Sequence, residues 1–428
     1  MNADPVAKAG QMIRATAMIL CAVALSTASA PAQSWMGIYR SAGGHMVGIG
    51  EFHEFGPSEI LVDYETGEVG PLLALPDGRT GIGRAIGDRA SPPAHILERK
   101  GRGVFLDGRL LTVVPVDRRR FEIAHDSIRL AGELVRPATR PKGVLVFVHG
   151  SGDGPRRAYD LWTNFFVSRG WAVVVFDKRG SGQSTGDWHD ANFITLAGDV
   201  RSVLQWTRAQ RDLSKLPLGL WGASQAGWII PQLAAENAVD FAIVQAGAST
   251  PVDQFIGRTV ESELEAYGFP PAEIARARAY YELDVAVSRG KRPFDEIEKA
   301  YREASAAGAE WLLKAPDPVA SPDRRFMAAI AGFDPASYWR RVRIPILALF
   351  GGKDHVVPIE PNRRTLEGLL AEAGNTKAEI LTLPDDNHLN MLAKTGVRSE
   401  YATLNRFDSE YFRALARFLE RASKPDRR

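Results

Sequence analysis

Two short segments, Val144-Leu145-Val146-Phe147-Val148 and Trp171-Ala172-Val173-Val174-Val175-Phe176, are apolar at every position. A strand with one wetted face alternates apolar and polar residues, so an unbroken apolar run of this length reads as a strand covered on both faces. Further strands are predicted at 218–221, 241–244, 346–350 and 379–383. Helical patterns separate them. Between Ile194 and Arg208, the residues Ile194, Leu196, Ala197, Val200, Val203, Leu204 and Trp206 recur at three- and four-residue spacings and form one apolar stripe. Strands and helices in alternation predict an α/β fold built on a doubly wound, mostly parallel sheet.

The flanking segments have a different texture. Residues 35–128 carry short β-forming runs such as Glu59–Tyr64 and Leu110–Val114, broken by Gly or Pro about every ten residues, and predict a small β-rich N-terminal domain. The α/β domain is assigned to 129–428. Within it, from about 249 to 338, strand patterns cease and Glu, Ala, Arg and Leu dominate, as in a helical cap inserted between two core strands. Residues 1–32 have the layout of an export signal: Lys8 and Arg14, an uncharged apolar stretch from Ala15 to Leu25, then small residues through Ala32. The apolar part is too short to span a bilayer as a helix, so no stable membrane span is expected. Cleavage after Ala30 or after Ala32 satisfies the small-x-small rule. The one cysteine, Cys21, lies inside that signal, so a periplasmic or secreted mature chain would carry no disulfide. A net charge of +2 gives no basic field for nucleic acid.

The chemistry is carried by Gly222-Ala223-Ser224-Gln225-Ala226-Gly227, which follows the apolar run Leu218-Gly219-Leu220-Trp221 and leads into Trp228-Ile229-Ile230. A serine on a sharp strand-to-helix turn needs small residues two places before and after it, here Gly222 and Ala226. A serine hydroxyl is a weak nucleophile until a histidine takes its proton, and that histidine needs a carboxylate to hold its tautomer. Asp354 follows the strand ending at Phe350, and His388 follows the strand ending at Leu383, which gives the order Ser, acid, His at three strand ends. The alternative role for Asp354 is to cap its own turn by accepting backbone N–H bonds. Asp385 and Asp386 are rival acids that more naturally fix the histidine loop. Two N–H groups are expected to receive the oxyanion: that of Gln225 at the helix start, and that of Ser151 or Gly152 in the loop His149-Gly150-Ser151-Gly152. Pro155 stands where the third glycine of a dinucleotide loop belongs, and neither a His-Glu-x-x-His motif nor a cysteine pair is present, so no cofactor and no metal are expected. In the loop from Asp177 to Ser184, Asp177 and Arg179 are candidate ion-pair formers. Trp162, Trp188, Trp228 and Trp311 are candidates to line an acyl pocket.

Across roughly Ile128 to Leu419 these motifs resemble the α/β-hydrolase superfamily, in the prolyl-oligopeptidase-like and dienelactone-hydrolase-like branch of carboxylesterases. The resemblance rests on His149–Gly152, Asp177–Gly180, Gly222–Pro231, Gly352-Lys353-Asp354 and His388. Ala226 is the one departure from the Gly-x-Ser-x-Gly form. The resemblance implies a cofactor-free serine esterase acting on small acyl esters through Ser224, Asp354 and His388. A serine peptidase, a thioesterase or an acyltransferase would use the same three groups, and a non-catalytic binding module is the reading from another class.

Overall fold

The computed structural model describes residues 34–424 except 55, 102 and 313, so the expected export signal lies outside the described residues. Eight strands come first: β1 (Gly37–Ser41), β2 (Met46–Phe52), β3 (Ser58–Asp63), β4 (Val69–Ala74), β5 (Thr80–Ile82), β6 (His95–Lys100), β7 (Gly103–Leu106) and β8 (Arg109–Val114). Each pairs antiparallel with the next, and β1 pairs with β8 to close a barrel. Closure leaves no open edge. Tyr39, Val47, Ile49, Leu61, Ile82, Leu97, Val104 and Leu111 form one buried cluster drawn from most of these strands.

The remaining strands form a second sheet: β9 (Val116–His125), β10 (Ile128–Pro137), β11 (Val144–Val148), β12 (Ala172–Phe176), β13 (Leu218–Ala223), β14 (Phe241–Gln245), β15 (Ile346–Gly351) and β16 (Ala378–Leu383). Their order across the sheet is β16-β15-β14-β13-β11-β12-β10-β9, parallel from β16 to β12 and antiparallel at β10 and β9. The boundary expected at 128/129 therefore falls at the start of β10, inside one sheet. β9 pairs with β10 along its whole length, and the barrel ends at Val114. Its sequence, Val116-Asp117-Arg118-Arg119-Arg120-Phe121, is that of a charged edge strand, which suits the rim of either sheet and does not name its partner.

Helices cover both faces of this sheet. Val144, Val146, Val148, Ala172, Val174, Phe176, Leu218, Leu220, Ala242 and Val244 pack into one core with α2 (Phe193–Ala209), α3 (Ala226–Ala235) and α9 (Ile359–Glu372). The intervening residues Leu145, Phe147, Val173, Val175, Trp221 and Ile243 pack into another, with α1 (Asp160–Ser168) and α10 (Ser409–Ala422). Successive side chains of a strand point to opposite faces, so each apolar run fills two cores at once. The segment between β14 and β15 is helical throughout the named elements: α4 (Val252–Ala266), α5 (Pro271–Ser288), α6 (Phe294–Ala306), α7 (Pro322–Ile330) and α8 (Ala336–Trp339). It has a small core of its own around Leu264, Phe269, Ile274, Tyr280, Ile297 and Trp311. No helix among the described residues is long and apolar enough to cross a membrane.

The barrel is packed against the second sheet through β2 and α1. Tyr64 donates its hydroxyl to the Leu161 carbonyl at 2.7 Å, and Asn164 Nδ2 donates to the Ile49 carbonyl at 3.0 Å. Gly50 permits the approach, because a Cβ there would lie 2.6 Å from the Cβ of Asp160. Gly50→Val is therefore expected to force β2 off α1 at a cost of about 1–3 kcal/mol, read as a lower midpoint in urea unfolding with unchanged far-UV circular dichroism.

Candidate active site

Ser224 directly follows β13 and has φ +57, in the left-handed region that a non-glycine residue enters only at a cost of about 1–2 kcal/mol. The turn is held on both sides. Ser224 N–H donates to the Gln245 carbonyl of β14 at 3.0 Å, and its carbonyl accepts from Gly227 N–H at 2.9 Å and Ala248 N–H at 3.2 Å. A Cβ on Gly222 would stand 2.6 Å from the Ala226 methyl and 2.8 Å from the Val148 carbonyl, and one on Gly227 would stand 2.2 Å from the Ala248 carbonyl. The first glycine therefore makes the room that the Ala226 methyl occupies. The second, at 227, is what lets α3 start against the loop after β14.

Asp354 is buried in the turn after β15. Its Oδ1 accepts from Val356 N–H at 2.9 Å and Val357 N–H at 2.8 Å, and its Oδ2 lies 2.8 Å from His388 Nδ1. The turn cap and the histidine partner are thus one carboxylate, one oxygen for each. A carboxylate oxygen accepts, so Nδ1 is the donor of this bond and Nε2 is the ring nitrogen left for another partner. Among the described residues Nε2 makes no hydrogen bond. Neither rival acid takes this place. Asp385 pairs with Lys353 at 2.8 Å, and Asp386 is buried under the loop, where burial and then the neighbouring Asp408 push its carboxyl up to about 8.

Of the two bonds expected in the series Ser224–His388–Asp354, one is present, from His388 to Asp354. The Ser224 hydroxyl makes no hydrogen bond among the described residues. It stands two strands away from Asp354 at the same carboxyl edge, since β13, β14 and β15 are parallel and in register.

The expected oxyanion donors come from the residue after Ser224 and from the loop after β11, the strand paired with β13. The N–H groups of Ser151, Gly152 and Gln225 donate to no group among the described residues, although Gly150 N–H is bonded to the Tyr159 hydroxyl at 3.1 Å and Gly154 N–H to Ser181 Oγ at 3.1 Å. Gly152 has φ +72. A residue of positive φ following one of negative φ turns successive N–H groups inward, the form of an anion-binding concavity. His149 Nε2 donates to the Phe176 carbonyl at 2.6 Å, and burial pushes its imidazole down to about 3, which makes it a neutral support of the loop.

Other expectations resolve differently. Asp177 and Arg179 do form ion pairs, with Arg156 at 2.5 Å and Asp199 at 2.6 Å, partners supplied by the turn after β11 and by α2. Of the four tryptophans, Trp162 and Trp188 are half-buried, the first donating to the Tyr411 hydroxyl and the second to Asp153 while it stacks on His189; Trp228 is buried and donates to the Thr250 carbonyl, and Trp311 donates to Glu273 and lines a cavity of about 700 Å³ within the helical segment. Lys178 and Tyr159 contact the loop 149–152, a role the sequence reading did not give them. For Lys178 the available signal was its place in a strand-end loop, directly after β12. One group of ligand-bearing residues converges among the described residues, His45, Asp63 and Glu65 on the barrel, but Glu65 is already bonded to Met46 N–H and to Arg169.

A profile for the X-Pro dipeptidyl-peptidase (S15 family) matches residues 126–381, more than half of the chain, from β10 to β16. The chain belongs to the X-Pro dipeptidyl-peptidase (S15) family. As a member of that family it is a serine hydrolase of α/β-hydrolase fold. It is also similar to an uncharacterized 31.7 kDa protein of the traX-finO intergenic region of Escherichia coli, 25% identical over 55% of this chain and 79% of that one. Esterase EstD of Thermotoga maritima is 23% identical over 71% of this chain and 69% of its own. Among solved structures, an esterase of Pyrococcus furiosus is 16% identical over 72% of this chain and 92% of that chain, with a TM-score of 0.47. The S15 match stops short of His388, whose place rests on the geometry alone.

His149 makes stability depend on pH. In the unfolded chain it titrates near 6.5 and in the folded one near 3, so between these values the unfolded state binds the extra proton and folding weakens as pH falls. His149→Asn is expected to flatten the fall in unfolding free energy between pH 6.5 and 3 by about 1 kcal/mol per pH unit, measured by urea titrations across that range.

Proposed function

We propose that this S15-family hydrolase cleaves small carboxylic esters through an acyl-enzyme on Ser224. The observation that carries the reading is His388, oriented by Asp354 at 2.8 Å with Nε2 left open, at the same sheet edge as a serine held at φ +57. His388 Nε2 takes the hydroxyl proton as Ser224 Oγ bonds the carbonyl carbon. The oxyanion is received by the N–H groups of Gln225 and of Ser151 or Gly152. As the tetrahedral adduct collapses, the bond to the alcohol oxygen breaks and His388 returns the proton to it. Water, deprotonated by the same imidazole, then releases the acid. The bond between Ser224 and His388 closes as substrate seats, since such contacts are often long in free enzymes. The small-ester class is supported by the similarity to an esterase of Thermotoga maritima.

The family itself favours a second reading, a peptidase releasing dipeptides that end in proline. Thioester cleavage and acyl transfer would use the same groups. Hydrolysis of p-nitrophenyl butyrate set against an Ala-Pro p-nitroanilide separates the two main readings, and a kcat/KM higher for the anilide would reverse the assignment. Ser224→Ala is expected to lower ester kcat by about 10^4 to 10^6 and to abolish labelling by a fluorophosphonate, with the fold intact by circular dichroism. Labelling that persists in the variant would remove Ser224 from the role.

The segment 1–32 is proposed to direct export, which places the enzyme in the periplasm or outside the cell. Expression in a Gram-negative host with mass spectrometry of the mature chain is expected to show a start at residue 31 or 33. A start at Met1 would refute export by cleavage.

A further inference from the structure

Lys178 is buried with 1% of its surface exposed, yet among the described residues it forms no ion pair. Two carboxylates lie near enough to be felt, Asp153 and Asp199, and both are engaged elsewhere: Asp153 accepts from Trp188 Nε1 and Asp199 holds Arg179 through two bonds. The ammonium instead donates to two backbone carbonyls, Gly150 at 3.1 Å and Gly152 at 2.9 Å, and lies 4.9 Å from the Trp188 ring centroid. Burying a cation without a carboxylate is costly. Burial accordingly pushes its pKa down to about 8. A fold that retains such a group needs it for something other than stability.

The two carbonyls it binds bracket the oxyanion loop. A trans peptide places its C=O and its N–H on opposite sides, so fixing one fixes the direction of the other. The carbonyl of Gly150 belongs to the peptide whose N–H is that of Ser151. That carbonyl is held twice, by Lys178 Nζ and by Gln225 Nε2 at 3.2 Å. The Ser151 N–H is turned away from both donors and makes no hydrogen bond among the described residues. The second carbonyl, Gly152, pins the far end of the loop just where φ is +72 and the chain could otherwise flip.

We propose that Lys178 is a positioning residue for the oxyanion hole, and that the donor it holds in place is the N–H of Ser151. The inference rests on the reading of Ser224 as nucleophile. Gln225 then acts twice, its backbone N–H as an oxyanion donor and its side chain as the second clamp on the Gly150–Ser151 peptide. Contact with the substrate is made by the peptide and not by the lysine.

The test separates orientation from fold and from nucleophile identity. Lys178→Met is expected to lower kcat about 10- to 100-fold with KM nearly unchanged, because the hole acts on the tetrahedral state and not on the bound ester. Inhibition by a butyl boronic acid, which forms a tetrahedral adduct on the serine, should weaken by a similar factor, while inhibition by the product butyrate should not move. Gln225→Met, which spares the backbone N–H and the buried lysine, should show the same pattern at smaller size. It decides the matter if Lys178→Met does not fold. Lys178→Arg, able to donate to both carbonyls, should recover part of the loss. A rise in KM with kcat unchanged, or equal weakening of boronate and butyrate, would overturn the proposal. Fluorophosphonate labelling retained at Ser224 in every variant would show that such a failure belongs to the clamp and not to the nucleophile.

Discussion

The left-handed backbone of Ser224 is the constraint on which the rest of the site depends. It lifts the side chain clear of the sheet between β13 and α3, and it survives because three hydrogen bonds and two missing Cβ atoms hold the turn closed. Strain of this kind persists only where surroundings over-determine it. Here the surroundings are the neighbouring strand end, through Gln245, and the loop beyond it, through Ala248. Gln245 is fixed in turn by the Tyr411 hydroxyl, 2.5 Å from its Oε1, so α10 on the opposite face takes part in setting the serine.

A parallel sheet brings every such strand end to one edge, and the rest of the molecule steadies what that edge carries. The chain beyond His388 returns along the barrel, where Ile86 N–H donates to the Leu404 carbonyl, Val69 N–H to that of Asn405, and Phe407 N–H to that of Gly67. The barrel therefore braces the return of the histidine loop. The cap attaches next to the acid: Thr259 Oγ1 donates to the Val356 carbonyl at 3.0 Å and Ser262 Oγ lies 2.9 Å from His355 Nδ1. Asp354 sits between these contacts and its own turn. The barrel thus holds the chain that returns after His388, and the cap holds the turn after Asp354.

Legibility followed the reach of each signal. The apolar runs of β11 and β12 were readable because burial on both faces leaves no alternation to misread, and α2 was readable because its stripe spans several turns. The order Ser224, Asp354, His388 was readable because each follows a recognisable strand. β9 was misassigned because an amphipathic edge strand carries no mark of which sheet it joins. Asp177 and Arg179 were readable as ion-pair formers but their partners were not, since Asp199, which holds Arg179, comes from a helix turn twenty residues on.

By itself the sequence determined which residues can do chemistry here, since only a few stand at strand ends with small neighbours that permit a strained turn. Tertiary structure alone decided what those residues are bonded to. It gave one oxygen of Asp354 to the turn and the other to His388, and it spent the charge of Lys178 on two carbonyls instead of on a carboxylate. Such choices depend on directions and distances between segments far apart in the chain. A linear pattern records which donors and acceptors exist, but not which of them burial leaves without water and forces together.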